Sequence, residues 1–248
     1  MEKTSIDIIG AGNVAWHMQR AFAGIADIRM VNSRDLEGLR PDSDLYLIAV
    51  SDGAIAAVSR RLPQVEGIVA HTSGATPMQA IDKKHRKRGV FYPLQTFTKD
   101  VELDYSEIPF LIEGSDPDVT DRMCETAGLI SRNVSLADSS ARGKMHVAAA
   151  ISSNLVNYLW TLTDRYMLKE GLDFNMMLPL IRETLRKAEG MRPELAQTGP
   201  AARGDMATIE QHKKLLEEYP ETRDIYVRLS DSLMNDRQRS HNPQPNES

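Results

Sequence analysis

Near the amino terminus the chain reads Gly10-Ala11-Gly12-Asn13-Val14-Ala15, between the apolar run Ile6–Ile9 and a stretch with helical spacing that ends at Phe22. Two glycines two apart, with a small residue three further on, is the pattern a dinucleotide phosphate cradle needs. Gly10 would permit the tight turn. Gly12 would admit a pyrophosphate where a Cβ would obstruct it, and Ala15 would let the helix pack closely on the strand. Asn13 and Val14 open that helix, whose amide ends would face the phosphates. The plainer alternative is a structural turn. The next apolar run ends in Asn32-Ser33-Arg34-Asp35. An acid at this corner would accept the hydroxyls of an adenosine ribose and repel a 2′-phosphate. The amide, hydroxyl and guanidinium of Asn32, Ser33 and Arg34 suit a phosphate instead, so NADP is expected over NAD, although Asp35 adjoins the corner and Arg34 could be a plain surface residue.

Ligands of open α/β sheets bind outside the carboxyl ends of the strands, and three further loops belong there. In AVSDGAI, Val50 and Ser51 would lie beside the dinucleotide while Asp52 caps a helix. In AHTSGATPM and FYPLQTF, His71, Thr72, Ser73, Gln95 and Thr96 would lie near the nicotinamide end, with Ser73 touching cofactor and Gln95 touching substrate. His71 reads equally as a general acid or as a residue bonded to a neighbouring carbonyl. Further on comes GKMHVAAAISSNLVNYLW. At ~100° per residue His146, Ala150, Ser153 and Asn157 share one stripe, with Asn154 about 80° to the side. If Val147, Ile151, Leu155, Tyr158 and Leu162 are packed, this polar stripe should line a cleft, with His146 handling a proton and Ser153, Asn154 and Asn157 facing substrate or nicotinamide. In TGPAARGD, Arg203 beside a helix start would form an anion site for a substrate carboxylate or phosphate; a loop capped by Asp205 is the alternative.

The elements that must position these residues alternate. Strands are expected at Ile6–Ile9, Ile28–Asn32, Leu45–Val50, Gly67–His71, Gly89–Tyr92, Phe110–Glu113 and Asn133–Leu136, with helical stretches between them. Short apolar runs without strict alternation imply strands covered on both faces, hence an α/β doubly wound, mostly parallel sheet over 1–138. Residues 139–235 carry helical periodicity only and predict an all-helical second domain; 236–248, polar and proline-containing, predict a disordered tail.

A net charge of −5 argues against nucleic acid as partner, and KKHRKR from Lys83 to Arg88 reads as a solvated helix end. The lone Cys124 fits a reducing compartment. With no signal segment and no apolar run of membrane-spanning length, the expectation is a soluble cytoplasmic protein without a metal cofactor.

The fingerprint, the helical second part and a long helix carrying asparagine resemble the superfamily of 6-phosphogluconate dehydrogenase, 3-hydroxyisobutyrate dehydrogenase, ketopantoate reductase and pyrroline-5-carboxylate reductase. More narrowly, HTSG, YPLQTF, HVAAAISSNLVNYL and TGPAARGD resemble an uncharacterised branch of Rossmann-like proteins with a C-terminal region of unknown function. The resemblance implies a Rossmann domain, an NADP-dependent oxidoreductase acting on a small carbonyl, imine or hydroxy acid bound between the two domains, and a homodimer paired through the helical domain. Several relatives carry a catalytic Lys four residues before an Asn; this chain has Ala150 before Asn154 and Ser153 before Asn157, which leaves a non-catalytic dinucleotide sensor as the rival reading.

Overall fold

The computed structural model describes residues 3–241. All seven expected strands form, within two residues of the expected ends: β1 (Ser5–Ile9), β2 (Asp27–Val31), β3 (Leu45–Ile48), β4 (Ile68–His71), β5 (Arg88–Pro93), β6 (Phe110–Gly114) and β7 (Val134–Leu136). They make one sheet in the order β2-β1-β3-β4-β5-β6-β7. Only the β5–β6 pair is antiparallel. The helices of this part are α1 (Asn13–Ala21), α2 (Asp52–Arg61), α3 (Pro117–Gly128) and α4 (Ser139–Ala149).

The sheet is buried on both sides because side chains alternate across the pleat. Leu45 and Leu47 join Phe22 of the α1 turn, Met123 of α3 and Phe91 on one face. Tyr46 and Ile48 join Ile55 and Val58 of α2 on the other. The strand order reverses at β1, which has β2 on one side and β3 on the other, so a crevice opens outside the carboxyl ends of β1 and β3.

The chain divides into two compact units, Met1–Asn154 and Leu155–Ser248. The division therefore falls well past the expected residue 138. The reason is that α4 is tied to the sheet: Arg142, fully buried, pairs with Glu113 of β6 and donates to the Thr76 carbonyl at 2.7 Å. Ser139 adds a 2.8 Å hydrogen bond to Glu113.

The second unit contains α5 (Val156–Lys169), α6 (Leu178–Gly190), α7 (Pro193–Ala196), α8 (Pro200–Arg203), α9 (Met206–Leu215) and α10 (Pro220–His241). Gly171, at φ +71°, ends α5 by accepting the left-handed turn a Cβ would resist. Helix α10 continues through His241, so 236–241 are helical where a tail was expected; the rest of that expected tail, 242–248, lies outside the described residues. Among the described residues no strand follows Leu136, and no helix is long and apolar enough to cross a membrane.

Candidate functional site

The crevice at β1 and β3 holds a groove of about 990 Å³. Its floor is the glycine turn. Gly10 sits at φ +141°, and a Cβ there would lie 2.2 Å from the Ala49 carbonyl oxygen, so only glycine fits where β1 passes β3. A Cβ on Gly12 would meet nothing within 4 Å: that space belongs to the groove. Gly12 is the N-cap of α1, which has neither a side-chain cap nor an acid in its first turn. Its first amides are left for a ligand.

Asn13, Val14, Val50 and Ser51 line the same groove, together with Asn32, Ser33 and Arg34 of the turn after β2. Ser51, not Asp52, occupies the N-cap of α2; Asp52 is the first helical residue. The Asn32 side chain accepts the Arg34 amide at 2.9 Å, which bends the chain into a turn after β2. The Arg34 guanidinium is exposed and makes no hydrogen bond or ion pair. From behind this turn Arg61, at the end of α2, donates to the carbonyls of Ser33 (3.2 Å) and Arg34. Arg61 carried no local signal in the sequence, because it meets the turn from a helix 27 residues away. No Asp or Glu lines the groove.

A second cluster of polar side chains lies at the ends of β4 and β5. His71 is fully buried, and its Nδ1 accepts the Ser73 amide at 3.1 Å. That bond leaves the ring proton on Nε2. Burial, reinforced by the Arg142 charge, pushes His71 down to about 4, so the ring is neutral near pH 7. The expectation that it faces the ligand as a general acid is corrected: it sits inside the sheet and props the loop after β4. Ser73 is corrected in the same way. It is buried, and its hydroxyl oxygen accepts the amides of Ala75 (3.2 Å) and Thr76 (2.9 Å) instead of standing free for cofactor. Gln95 and Thr96 are exposed after β5, and Gln95 folds back to accept the Thr96 amide at 2.8 Å.

His146 is half-buried, and its Nδ1 lies 3.1 Å from the Tyr92 hydroxyl of β5. A Cβ on Gly74 would fall 2.7 Å from that same Nδ1 and 2.6 Å from the Tyr92 ring, so the loop after β4 is pressed against the pair. Arg142 stands four residues before His146 on one face of α4, and its buried bonds to Glu113 and Thr76 set the ring's place. Burial raises the Tyr92 phenol above its ordinary value, so it stays protonated. When the imidazole carries a proton on both nitrogens, Nδ1 donates to the Tyr92 oxygen and Nε2–H is an acid; when only Nδ1 is protonated, it still donates to Tyr92 and Nε2 is free as a base. The pair can therefore present either an acid or a base at the same atom. Tyr92 and Arg142 were not singled out from sequence, although the four-residue spacing of Arg142 and His146 was there to be read.

The rest of the expected stripe does not hold. Ala150–Leu155 forms a π-helical segment between α4 and α5. Its wider turn, with bonds from i to i+5, breaks the register on which the 100° count depended. Ser153 is half-buried, and Asn154 and Asn157 are exposed with no side-chain hydrogen bond. The apolar neighbours taken as packed are open as well: Val147, Ile151 and Leu155 are 59%, 57% and 57% exposed, and only Leu162 is buried. Arg203 is exposed, and the start of α9 is already capped, since Asp205 accepts the Thr208 amide at 3.1 Å. Pro200–Arg203 of TGPAARGD forms the short α8, and Gly204, at φ +72°, turns the chain towards α9.

Residues 108–233 match the family profile described as Domain of unknown function (DUF2520). The chain belongs to this family. Among solved structures, this DUF2520 chain is similar to a provisionally assigned NADP oxidoreductase of Bacteroides fragilis, with 32% identity over 94% of this chain and 98% of that one and a TM-score of 0.86. A Thermotoga maritima protein aligns at 20% identity over 95% and 99% of the two chains, with a TM-score of 0.71. The reductive aminase of Aspergillus terreus, solved with NADPH and ethyl levulinate, aligns at 14% identity over 96% and 94%, with a TM-score of 0.70, and shares the fold. No curated protein matches the sequence.

Proposed function

We propose that this DUF2520 protein is an NADP(H)-dependent oxidoreductase that reduces a small carbonyl or imine, or oxidises the corresponding hydroxy acid or amine. The observation that carries this reading is the groove: glycine-floored, placed where the strand order reverses, and lined by Arg34 and Lys99 but by no carboxylate. These residues fit the cofactor. The open side of Gly12 leaves room for the pyrophosphate, and the unengaged Arg34 guanidinium, on a turn braced by Arg61, suits a 2′-phosphate. The similarity to the Bacteroides NADP oxidoreductase and the NADPH-bound aminase supports the same choice.

The cofactor, when bound, supplies or accepts the hydride. The chain supplies orientation and the proton: His146 Nε2 gives it to the developing alkoxide or amine, or takes it in the reverse direction, while Tyr92 holds the ring through Nδ1. The same pair distinguishes an enzyme from a sensor, which would need no titratable group beside the rim.

A second copy covering the exposed apolar side chains of the helical unit, such as Leu168 and Leu180, would make the protein a homodimer. A dimeric mass by light scattering is expected at micromolar concentration; a monomeric mass would rule the dimer out. The lone, half-buried Cys124 suits the reducing cytoplasm.

Calorimetric titration with NADPH and NADH, followed by a screen of keto acids, imines and hydroxy acids for change in NADPH absorbance, tests the function. Tighter binding of NADPH and turnover of one substrate class are expected. Equal affinities would remove the NADP assignment, and tight NADPH binding with no turnover of any class would favour the sensor.

A further inference from the structure

Three consecutive residues of the segment after β5 are tied to the glycine turn and α1. The Phe97 carbonyl accepts the Asn13 side-chain amide at 2.8 Å. His17, fully buried, reaches the Thr98 carbonyl from Nε2 at 2.8 Å and the Tyr105 hydroxyl from Nδ1 at 2.9 Å. A carbonyl can only accept, so Nε2 carries a proton and donates it to Thr98. The Phe97 ring stacks against His17 with centroids 4.8 Å apart. Lys99 then donates from Nζ to the Ala11 carbonyl at 2.8 Å. Asp100 follows at φ +65°, a left-handed turn that carries the chain away at once.

This strap does more than cross α1. It delivers an ammonium group to the wall of the groove, beside Gly10–Val14. The ammonium has three N–H donors, one of which is used on Ala11; Lys99 forms no ion pair with any carboxylate. The other cation lining the groove, Arg34, belongs to the turn after β2, whereas Lys99 meets Ala11 in the turn after β1. Two separated cations on one groove correspond to two separated anions on one ligand.

We infer that Lys99 is a cofactor-binding residue that contacts the pyrophosphate, the group common to both nicotinamide dinucleotides, while Arg34 serves the phosphate found on one of them. The inference rests on the dinucleotide reading of the groove. It divides the binding energy by anion: loss of the Lys99 charge should weaken NADPH and NADH by a common factor, and loss of Arg34 should weaken NADPH alone. An exposed lysine whose only bond is to one carbonyl is not needed for folding, so the effect should appear without loss of stability.

The test is calorimetric titration of NADPH and NADH into the wild-type chain, Lys99→Gln, Lys99→Arg and Arg34→Ala, with thermal unfolding of each. In Lys99→Gln the dissociation constants of both cofactors should rise together by about tenfold or more, as for loss of a charged hydrogen-bond donor. Lys99→Arg should recover most of the loss, and added salt should weaken binding less steeply in Lys99→Gln than in the wild type. Unchanged constants in Lys99→Gln overturn the inference, as does a loss confined to NADPH or a loss accompanied by a matching drop in melting temperature. If the wild type binds neither cofactor, the dinucleotide reading itself falls, and the inference with it; if the wild type binds both and Lys99→Gln is silent, only the inference falls.

Discussion

The two ends of the sheet's carboxyl rim carry similar residues in opposite conditions. Beside β1, β2 and β3 the two cationic side chains of the groove are exposed and largely unspent: Arg34 has no partner among the described residues, and Lys99 has one. Around the end of β4, His71, Ser73 and the Arg142 of α4 are buried and bonded within the protein, His71 to the Ser73 amide, Ser73 to the Thr76 amide, and Arg142 to Glu113 and the Thr76 carbonyl. A buried polar group must find a partner inside the protein, whereas an exposed one can wait for a ligand. On the proposed function the first end would bind the ligand, while the second holds loops in place. His146 is the residue that crosses this division, braced through Nδ1 like the buried groups yet only half-buried itself.

Substitutions at the two ends should separate these tasks. The largest effect belongs to the crossing residue. His146→Ala is expected to lower kcat by ~10²–10⁴-fold, as for loss of a positioned acid or base, with NADPH affinity nearly unchanged. Steady-state kinetics beside a binding titration measures both, and parallel loss of the two would place His146 with the binding end instead.

Next comes His71, whose effect should appear in stability and in its dependence on pH. Its folded value of about 4 lies below the usual ~6.5, so the unfolded chain takes up the proton first as pH falls. Unfolding free energy should therefore be lost between pH 6.5 and 4, on the order of 3 kcal/mol in all, and be flat in this respect above 6.5. Urea unfolding at a series of pH values detects the slope; a His71→Asn variant with the same slope would mean the burial argument is wrong.

Smallest in free energy is the binding end. Arg34→Ala should weaken NADPH by ~1.5–3 kcal/mol and leave both NADH affinity and melting temperature nearly unchanged. A fall in melting temperature would show that Arg34 is structural after all, and the contrast between the two ends would dissolve.

Much of the binding end was legible in the sequence because its signals are local. Gly10, Gly12 and Asn32-Ser33-Arg34 each follow directly on a strand, and all of them line the groove where the pattern placed them. The second cluster was read less well because there the question was which way a polar group faces. HTSG and YPLQTF stand in the sequence, but nothing in them says that His71 and Ser73 bond inward while Tyr92 turns to meet His146. The helix was misread for a different reason. A constant 100° step was carried through Ala150–Leu155, where the backbone takes a wider π turn, so Ser153 and Asn157 lost their alignment with His146.

By itself, then, the sequence determined the seven strands, the glycine turn that floors the groove, and the absence of strands after Leu136 among the described residues, since alternation, helical spacing and glycine tolerance are properties of short segments. Tertiary structure alone decided the pairing of Tyr92 with His146, 54 residues apart, the reach of Lys99 to Ala11 across 88 residues, and the bracing of the Arg34 turn by Arg61. It also decided that His71 is sealed in as a neutral ring. Those outcomes depend on which loops the closed sheet brings within about 3 Å of each other, and hydrogen bonds act only over that range.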